Sequence, residues 1–186
     1  MATEGQLLTK YAEASPEARV RLIIKNYENF ITAVEVCEEK LNRTIQAEIS
    51  YARRQEKGDL GVRVQSNGIP GNPTENEAIQ HMDIQDAIRR GYLTDSMLVD
   101  MECAARHQQE ARTLRIMRLD YDAFNLQLKA MAKKDYEIIH PLFTREKSLG
   151  DIAEENGLCY ESAKNKVYRI RKAFIKDAAD LLIKVE

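Results

Sequence analysis

The chain has 186 residues and a formal net charge of −2 at pH 7, with 44% hydrophobic and 31% charged residues. This composition is ordinary for a soluble protein and leaves room for one large domain or two small ones. No run approaches the roughly 20 consecutive apolar residues that a membrane span needs. The N-terminus has neither the basic start nor the apolar stretch of a secretory signal, so we expect a cytoplasmic protein with no membrane partner.

Residue types that build metal and catalytic sites are scattered along the chain. The three cysteines are far apart and odd in number, which favours reduced thiols over disulfides. No CxxC or His-x-x-x-His spacing occurs, and no paired carboxylates, catalytic triad order or nucleotide-binding loop emerges. We therefore expect no metal, no cofactor and no enzymatic activity.

The first strong helix signal is Ser15-Pro16-Glu17, in which a capping residue precedes a proline that is tolerated in the first turn. An apolar seam at alternating spacings of three and four residues then predicts one long helix with a buried face. The seam consists of Val20, Ile23, Tyr27, Phe30, Val34, Cys37 and Leu41. Two interpretations are open: packing within the chain, or a coiled-coil contact in a homodimer or higher oligomer.

Residues 58–74 contain four of the eight glycines and two of the four prolines, which predicts a loop. The glycine spacing does not fit a phosphate-binding motif. Residues 74–77 then form a capping-box pattern for a helix that ends at Gly91. Thr94 or Asp95 is the predicted cap of a longer helix that follows.

The polar stretch 106–112 is predicted to be solvated or to bridge helices, and from Asp122 the apolar pattern predicts two short helices. No second strand pattern accompanies the one short extended candidate, so we predict an all-α fold. It comprises a helical N-terminal interaction and oligomerisation region with long helices, residues 1–121, and a C-terminal helix-turn-helix domain, residues 122–186.

Helix punctuation and apolar spacing agree most closely from Ser148 onward. Ser148 is the predicted cap of a short helix with Asp151 in its first turn, and Asn156-Gly157 predicts its end. A second helix is predicted from about Tyr160. Its inward stripe, at spacings of four, three and four, is Ala163, Val167, Ile170 and Phe174.

The outward side of this second helix is basic. Between residues 164 and 176 there are six Lys or Arg and no Asp or Glu, namely Lys164, Lys166, Arg169, Arg171, Lys172 and Lys176. A charge run alone is usually a solvated surface, but a short helix, a glycine turn and a basic second helix together predict a pair that reads DNA. The predicted DNA-binding residues are Tyr160, Glu161, Lys164, Asn165, Lys166, Tyr168, Arg169, Arg171 and Lys172.

The predicted site has two parts along the helix. Glu161, Lys164 and Asn165 come early, where a helix that enters the major groove by its N-terminal end brings side chains to base edges. The basic residues from 166 to 172 come later and are expected to meet phosphates. Tyr168 fits either role and stays unassigned.

The segment IAEENGLCYESAKNKVYRIRKAF resembles the helix-turn-helix of sigma-factor region 4, with DIAEENGL and YRIRKAF as the best-fitting parts. It departs from that pattern at Cys159, where the family usually has Ser, Thr or Pro. A full sigma factor also has a region that melts promoters, but no Trp and no comparable aromatic basic helix precedes Asp122, so we do not expect this chain to melt promoters.

The segment VRVQSNGIPGNPTENEAI, together with this C-terminal part, resembles the ArpU and RinA type of phage late-gene regulators. The resemblance implies a sequence-specific activator that binds double-stranded DNA at a promoter, contacts host RNA polymerase and acts in the bacterial cytoplasm at the nucleoid. An alternative is a small terminase-like DNA-packaging subunit, since such subunits also join a helix-turn-helix to an oligomerising helical part.

Overall fold

The computed structural model describes residues 4–56, 73–99 and 101–182, with side-chain environments for 6–52, 78–99 and 101–182. These segments form eight α-helices and two single-turn 3-10 helices, without a β-strand, so the predicted all-α fold class is confirmed. The α-helices are α1 (Glu4–Ala12), α2 (Pro16–Lys25), α3 (Phe30–Glu56), α4 (Pro73–Arg90), α5 (Ala104–Ala130), α6 (Lys133–Phe143), α7 (Leu149–Glu155) and α8 (Tyr160–Leu181). Within the part of the chain that the structure describes, every helix is too short or too polar to serve as a membrane span.

The chain divides into two compact units. Unit 1 comprises Met1–Val34 and Ile116–Glu186, and unit 2 comprises Glu35–Arg115. The predicted boundary between residues 121 and 122 lies inside α5, and the first two helices belong to the same unit as the C-terminal ones. The compact units therefore do not follow the expected division at 121, while the assignment of DNA binding to 122–186 stays a prediction.

The long helix predicted from Pro16 is interrupted. Ser15 caps α2 as expected, with its hydroxyl oxygen accepting a hydrogen bond from the Ala18 amide. The α-helix stops after Lys25, because Asn26 leaves the helical region with φ −117° and ψ 17° and its side-chain amide donates to the Leu22 carbonyl at 2.8 Å. A 3-10 turn, Tyr27–Asn29, follows before α3 begins.

The predicted apolar seam is nevertheless buried within a single chain. Six of its seven residues are at most 7% exposed, and only Tyr27 is half-buried. Those six are Val20, Ile23, Phe30, Val34, Cys37 and Leu41. The seam continues across the interruption, because the residues before and after the short turn are buried alike. Intramolecular packing accounts for this seam, and an oligomer through it stays a prediction.

Helix α4 ends where the sequence predicts. Gly91 has a φ of +75°, its amide donates to the Ile88 carbonyl at 2.9 Å, and the Tyr92 amide donates to the Ala87 carbonyl at 3.1 Å. This is the hydrogen-bond pattern of a glycine-terminated helix. The start is earlier than predicted, since α4 begins at Pro73 and Thr74 lies in its first turn. The predicted loop lies outside the described residues as far as position 72.

The longer helix predicted from Thr94 or Asp95 begins nine residues later than Asp95, at Ala104, and a 3-10 turn occupies Asp95–Met97. Thr94 caps that turn by position, but its side chain makes no capping hydrogen bond. Helix α5 then continues unbroken to Ala130, so the two short helices predicted after Asp122 are in fact the end of α5 and α6.

Aromatic side chains form the core of unit 1. Phe124, Phe143 and Phe174 are at most 4% exposed, and the ring centroid of Phe174 lies 4.9 Å from that of Phe124 and 5.8 Å from that of Phe143. Tyr27 joins them, with its ring 5.5 Å from Phe124 and its hydroxyl donating to Asn125 at 3.0 Å. The cluster fixes α8 against α5 and α6, because large buried rings exclude water over a wide contact area.

A buried ion pair ties the N-terminal helices to α5 in the same unit. Arg19 and Asp120 are 2% and 0% exposed, and Nη1 of Arg19 lies 2.7 Å from Oδ2 of Asp120. The Tyr11 hydroxyl donates to the same oxygen at 2.9 Å. Burial and the Asp120 charge raise the pKa of Tyr11 well above that of an exposed tyrosine.

Unit 2 has an aliphatic core, with a polar contact between α3 and α5. Its fully buried residues include Ile45, Ile84, Ile88 and Leu114. His107 is 3% exposed, and its Nε2 lies 3.0 Å from Oε1 of Glu48. Of the two outcomes predicted for residues 106–112, this part of the stretch therefore bridges helices.

Candidate nucleic-acid interface

Helix α7 begins as the sequence predicts. The Ser148 hydroxyl accepts from the Asp151 amide at 3.3 Å, and the Asp151 carboxylate accepts from the Ser148 amide at 2.7 Å. These reciprocal bonds form a capping box. The pKa of Asp151 is lowered, first by the Ser148 backbone N–H and then by the Ser148 side chain. The capping box therefore stabilises the start of α7 in the charged state of Asp151.

The turn after α7 also matches the prediction. Gly157 has a φ of +61°, its amide donates to the Glu154 carbonyl at 3.1 Å, and the Leu158 amide donates to the Ala153 carbonyl at 2.9 Å. Glycine adopts this left-handed conformation without steric cost. Leu158 is half-buried beneath the turn. Helices α7 and α8 pack against each other, so the turn sets how α8 leaves α7.

Helix α8 starts at Tyr160, again as predicted, although its cap is unusual. Cys159 is extended, with φ −68° and ψ 153°, and its side chain forms no capping hydrogen bond. Its sulfur lies 3.1 Å from the Ser162 hydroxyl oxygen, and this contact with Ser162 is the main cause that lowers the pKa of the exposed thiol. A cysteine in the capping position is therefore compatible with the predicted helix start.

The predicted inward stripe of α8 faces the protein. Ala163 and Phe174 are 1% exposed, and Val167 and Ile170 are half-buried. These side chains anchor the helix with its other side turned outward.

The residues predicted to bind DNA share the outward side of α8, which we call the front face. Tyr160, Glu161, Lys164, Asn165, Tyr168, Arg169, Arg171 and Lys172 are exposed, and Lys166 is half-buried. The largest side chain at its centre, Tyr168, is 63% exposed. The structure thus brings eight of the nine predicted residues to the surface of one helix.

Contacts within the front face are weak and local. Lys164 Nζ lies 3.7 Å from Glu161 Oε1, and both side chains are more than half exposed. Such exposed pairs contribute little to stability, so either group can exchange its partner for a ligand at small cost. Arg169 Nε donates to the backbone carbonyl of Asn165 at 3.4 Å. The side-chain amide of Asn165 takes no part in that bond.

The front face ends part-way along α8, which the sequence pattern did not predict. Residues 18 apart lie at the same angle on an α-helix, because 18 residues make five turns. Tyr160 and Glu161 are exposed, whereas Ala178 and Ala179, at the same two angles, are 0% and 9% exposed. The C-terminal half of α8 is therefore covered at angles that its N-terminal half leaves open. The helices that pack against α8 are α2, α6 and α7.

A second basic position lies outside α8, in the connection between α6 and α7. Arg145 is exposed and has a φ of +53°, a conformation that residues other than glycine rarely adopt. Its Nη2 donates to the Lys25 carbonyl at 3.2 Å, across 120 positions in the sequence. Lys147 is engaged elsewhere, with Nζ 2.6 Å from Glu155 Oε1. No sequence motif marked Arg145, because its partner comes from a distant segment.

The acidic residues, histidines and cysteines of the described segments do not gather into a metal-binding group. No group of three or more His, Cys, Asp and Glu side chains there is arranged to hold a metal ion, and all three cysteines are free thiols. Comparisons of the chain with protein-family models, with curated proteins and with solved structures found no match. The residues and geometry of α7, α8 and their supports are therefore what indicates a function.

Proposed function

We propose that this protein is a sequence-specific regulator of transcription that binds double-stranded DNA through the front face of α8. The observation that carries the proposal is the exposure of a basic, hydrogen-bonding face on the second helix of a short helix, glycine turn and long helix. A recognition helix needs this combination, since its rear must be anchored while its front enters the major groove.

The dimensions of α8 suit this role over its N-terminal half only. With 22 residues the helix is about 33 Å long, whereas the major groove is about 12 Å wide. The segment from 160 to 172 is about 18 Å long and carries all the predicted contacts. The covered C-terminal half then serves as the support that holds this segment out toward the duplex.

The charge distribution favours the same segment. The six Lys and Arg residues between 164 and 176 attract phosphates, while the next charged residues along the helix, Asp177 and Asp180, are exposed and acidic. Acidic side chains repel the DNA backbone, so no contact with the duplex is expected from Asp177 onward. Counterion release from the phosphates supplies affinity, and contacts to base edges supply sequence specificity.

Within this proposal, Glu161, Lys164 and Asn165 read bases, and Arg169 and Lys172 contact phosphates. Glutamate can accept from cytosine, lysine can donate to guanine, and asparagine can pair with adenine in the major groove. The resemblance to phage late-gene regulators extends the proposal to activation at a promoter, contact with host RNA polymerase and association of two or more copies.

A footprinting experiment on the DNA upstream of the genes that follow the protein's own gene tests the proposal, followed by binding isotherms on the protected duplex and a scrambled one. Asn165→Ala should cost on the order of 1 to 3 kcal/mol on the protected duplex only. Arg169→Ala should weaken binding to both. Lys133→Ala is the control, because this side chain is 89% exposed and lies on α6.

Absence of any protected region, together with no measurable duplex binding, would refute the proposal. An equal loss for Asn165→Ala on both duplexes would refute its base-reading role alone.

A further inference from the structure

Helix α2 packs against α8, although the two are separated by more than a hundred residues in the sequence. The N-terminal half of the front face is open, so contacts with other helices on that side of α8 fall in its C-terminal half, where Ile175, Ala178 and Ala179 are buried. Those three residues continue the front face along the same side of the helix. Helix α2 therefore belongs to the same compact unit as α8 and forms part of its support.

The side of α2 that faces away from its own core is charged. Val20, Ile23 and Ile24 are buried, whereas Arg21 and Lys25 are exposed four residues apart on the opposite side. Arg21 lies 3.6 Å from Glu17, which neutralises part of its charge. Lys25 forms no ion pair with the residues that the structure describes.

A hydrogen bond joins Arg145 to Lys25. One guanidinium nitrogen of Arg145 donates a hydrogen bond to the Lys25 carbonyl. The exposed guanidinium has further N–H donors besides this one. The positive φ of Arg145 is a strained conformation for a residue that is not glycine. Such outliers concentrate at functional positions, and arginine is the side chain that best matches a phosphate.

We propose that Lys25 and Arg145 form a second phosphate-binding element, which contacts the backbone of the same duplex whose major groove receives α8. This inference rests on the proposed function and adds the N-terminal segment to the interface. Contacts of this kind fix the position of a protein on DNA without reading its sequence. In helix-turn-helix proteins the first helix crosses the DNA backbone, and Arg145 lies four residues before α7 in the chain.

The test uses the full chain and a duplex of arbitrary sequence, because a phosphate contact does not depend on an operator. Lys25→Ala and Arg145→Gly are the two variants, and glycine at 145 accepts the positive φ without strain. Lys10→Ala is the matched control, since Lys10 is also an exposed lysine in the last turn of a helix, α1. Arg169→Ala reports the front face in the same assay.

Each of the two variants should lower the slope of log K against log salt by about 0.9. When salt is raised from 50 to 200 mM, the factor by which each variant loses affinity should accordingly be about 3.5-fold smaller than the factor for the wild type. Lys10→Ala should keep the wild-type slope.

Wild-type slopes for both Lys25→Ala and Arg145→Gly, beside a reduced slope for Arg169→Ala, would overturn this inference and leave the front face intact. A wild-type protein that binds no duplex would overturn both proposals.

Discussion

Substitutions at Gly157, in the turn between α7 and α8, measure the backbone strain of a left-handed residue without a steric clash. The φ of +61° places this residue in the left-handed region, where an L-residue loses roughly 1 to 2 kcal/mol. A Cβ at this position would meet no atom within 4 Å, so no clash is added. The expected loss in unfolding free energy is therefore about 1 kcal/mol for Gly157→Ala, less for Gly157→Asn and about 2 kcal/mol for Gly157→Val.

Gly91 offers the matched comparison, because its φ of +75° is similar but its surroundings are crowded. A Cβ there would lie 2.6 Å from Cβ of Arg115 and 3.0 Å from its Cγ. Overpacking of this kind adds about 1 to 3 kcal/mol to the backbone cost. Gly91→Ala should therefore be clearly more destabilising than Gly157→Ala, although the change in composition is identical.

Urea unfolding of these four variants provides the measurement, with the midpoint shifts compared at an unchanged m-value. In thermal unfolding, about 1 kcal/mol corresponds to roughly 2 to 4 °C for a chain of this size. Wild-type stability of Gly157→Val would show that the left-handed turn is not used. Equal losses for Gly157→Ala and Gly91→Ala would show that the surroundings of the two glycines are wrongly described.

Three further predictions concern the supports of the interface. Phe174→Ala should lower the free energy of unfolding by about 3 to 5 kcal/mol, because the ring is 1% exposed in the aromatic cluster. Lys172→Ala should change it by no more than about 0.5 kcal/mol. Similar losses for the two variants would contradict the orientation of α8. Since the raised pKa of Tyr11 keeps its proton in the folded state, stability should fall above about pH 10 by up to about 1.4 kcal/mol per pH unit, and Tyr11→Phe should remove that contribution. In an NMR titration, the pKa of Asp151 should be lower than that of an ordinary aspartate, first because of the Ser148 backbone N–H and then because of the Ser148 side chain, so it should rise in Ser148→Ala. The contribution of Asp151 to stability is therefore present above the ordinary aspartate pKa and is lost in stronger acid. An unshifted pKa would argue against the capping box.

Local signals in the sequence predicted the ends of several helices. Ser148, Gly157 and Gly91 act through hydrogen bonds and φ angles that involve only a few neighbouring residues, so their roles follow from residue type and spacing. The start of α8 also followed, even with Cys159 in place of a better cap, because the stripe behind it is long enough to define the helix.

Features that depend on distant residues were not predicted. Asn26 ends α2 inside an apolar seam that continues in phase, so the spacing alone gave no sign of the interruption. The partners of Arg19 and Arg145 come from α5 and α2, and neither charge carries a local signature of its contact. The covering of the C-terminal half of α8 likewise depends on tertiary packing, since Ala178 and Ala179 read as neutral positions in a helical pattern.

Titration of the labelled protein with a duplex from the footprinted region, followed through the amide chemical shifts, tests DNA binding by the front face directly. The largest shift changes are expected at residues 160–172, with smaller ones at Lys25 and Arg145, and little change at the exposed α4 residues Ile79 and Met82 in unit 2. Changes centred on unit 2, or no changes at duplex concentrations well above that of the protein, would show that the front face of α8 does not bind DNA.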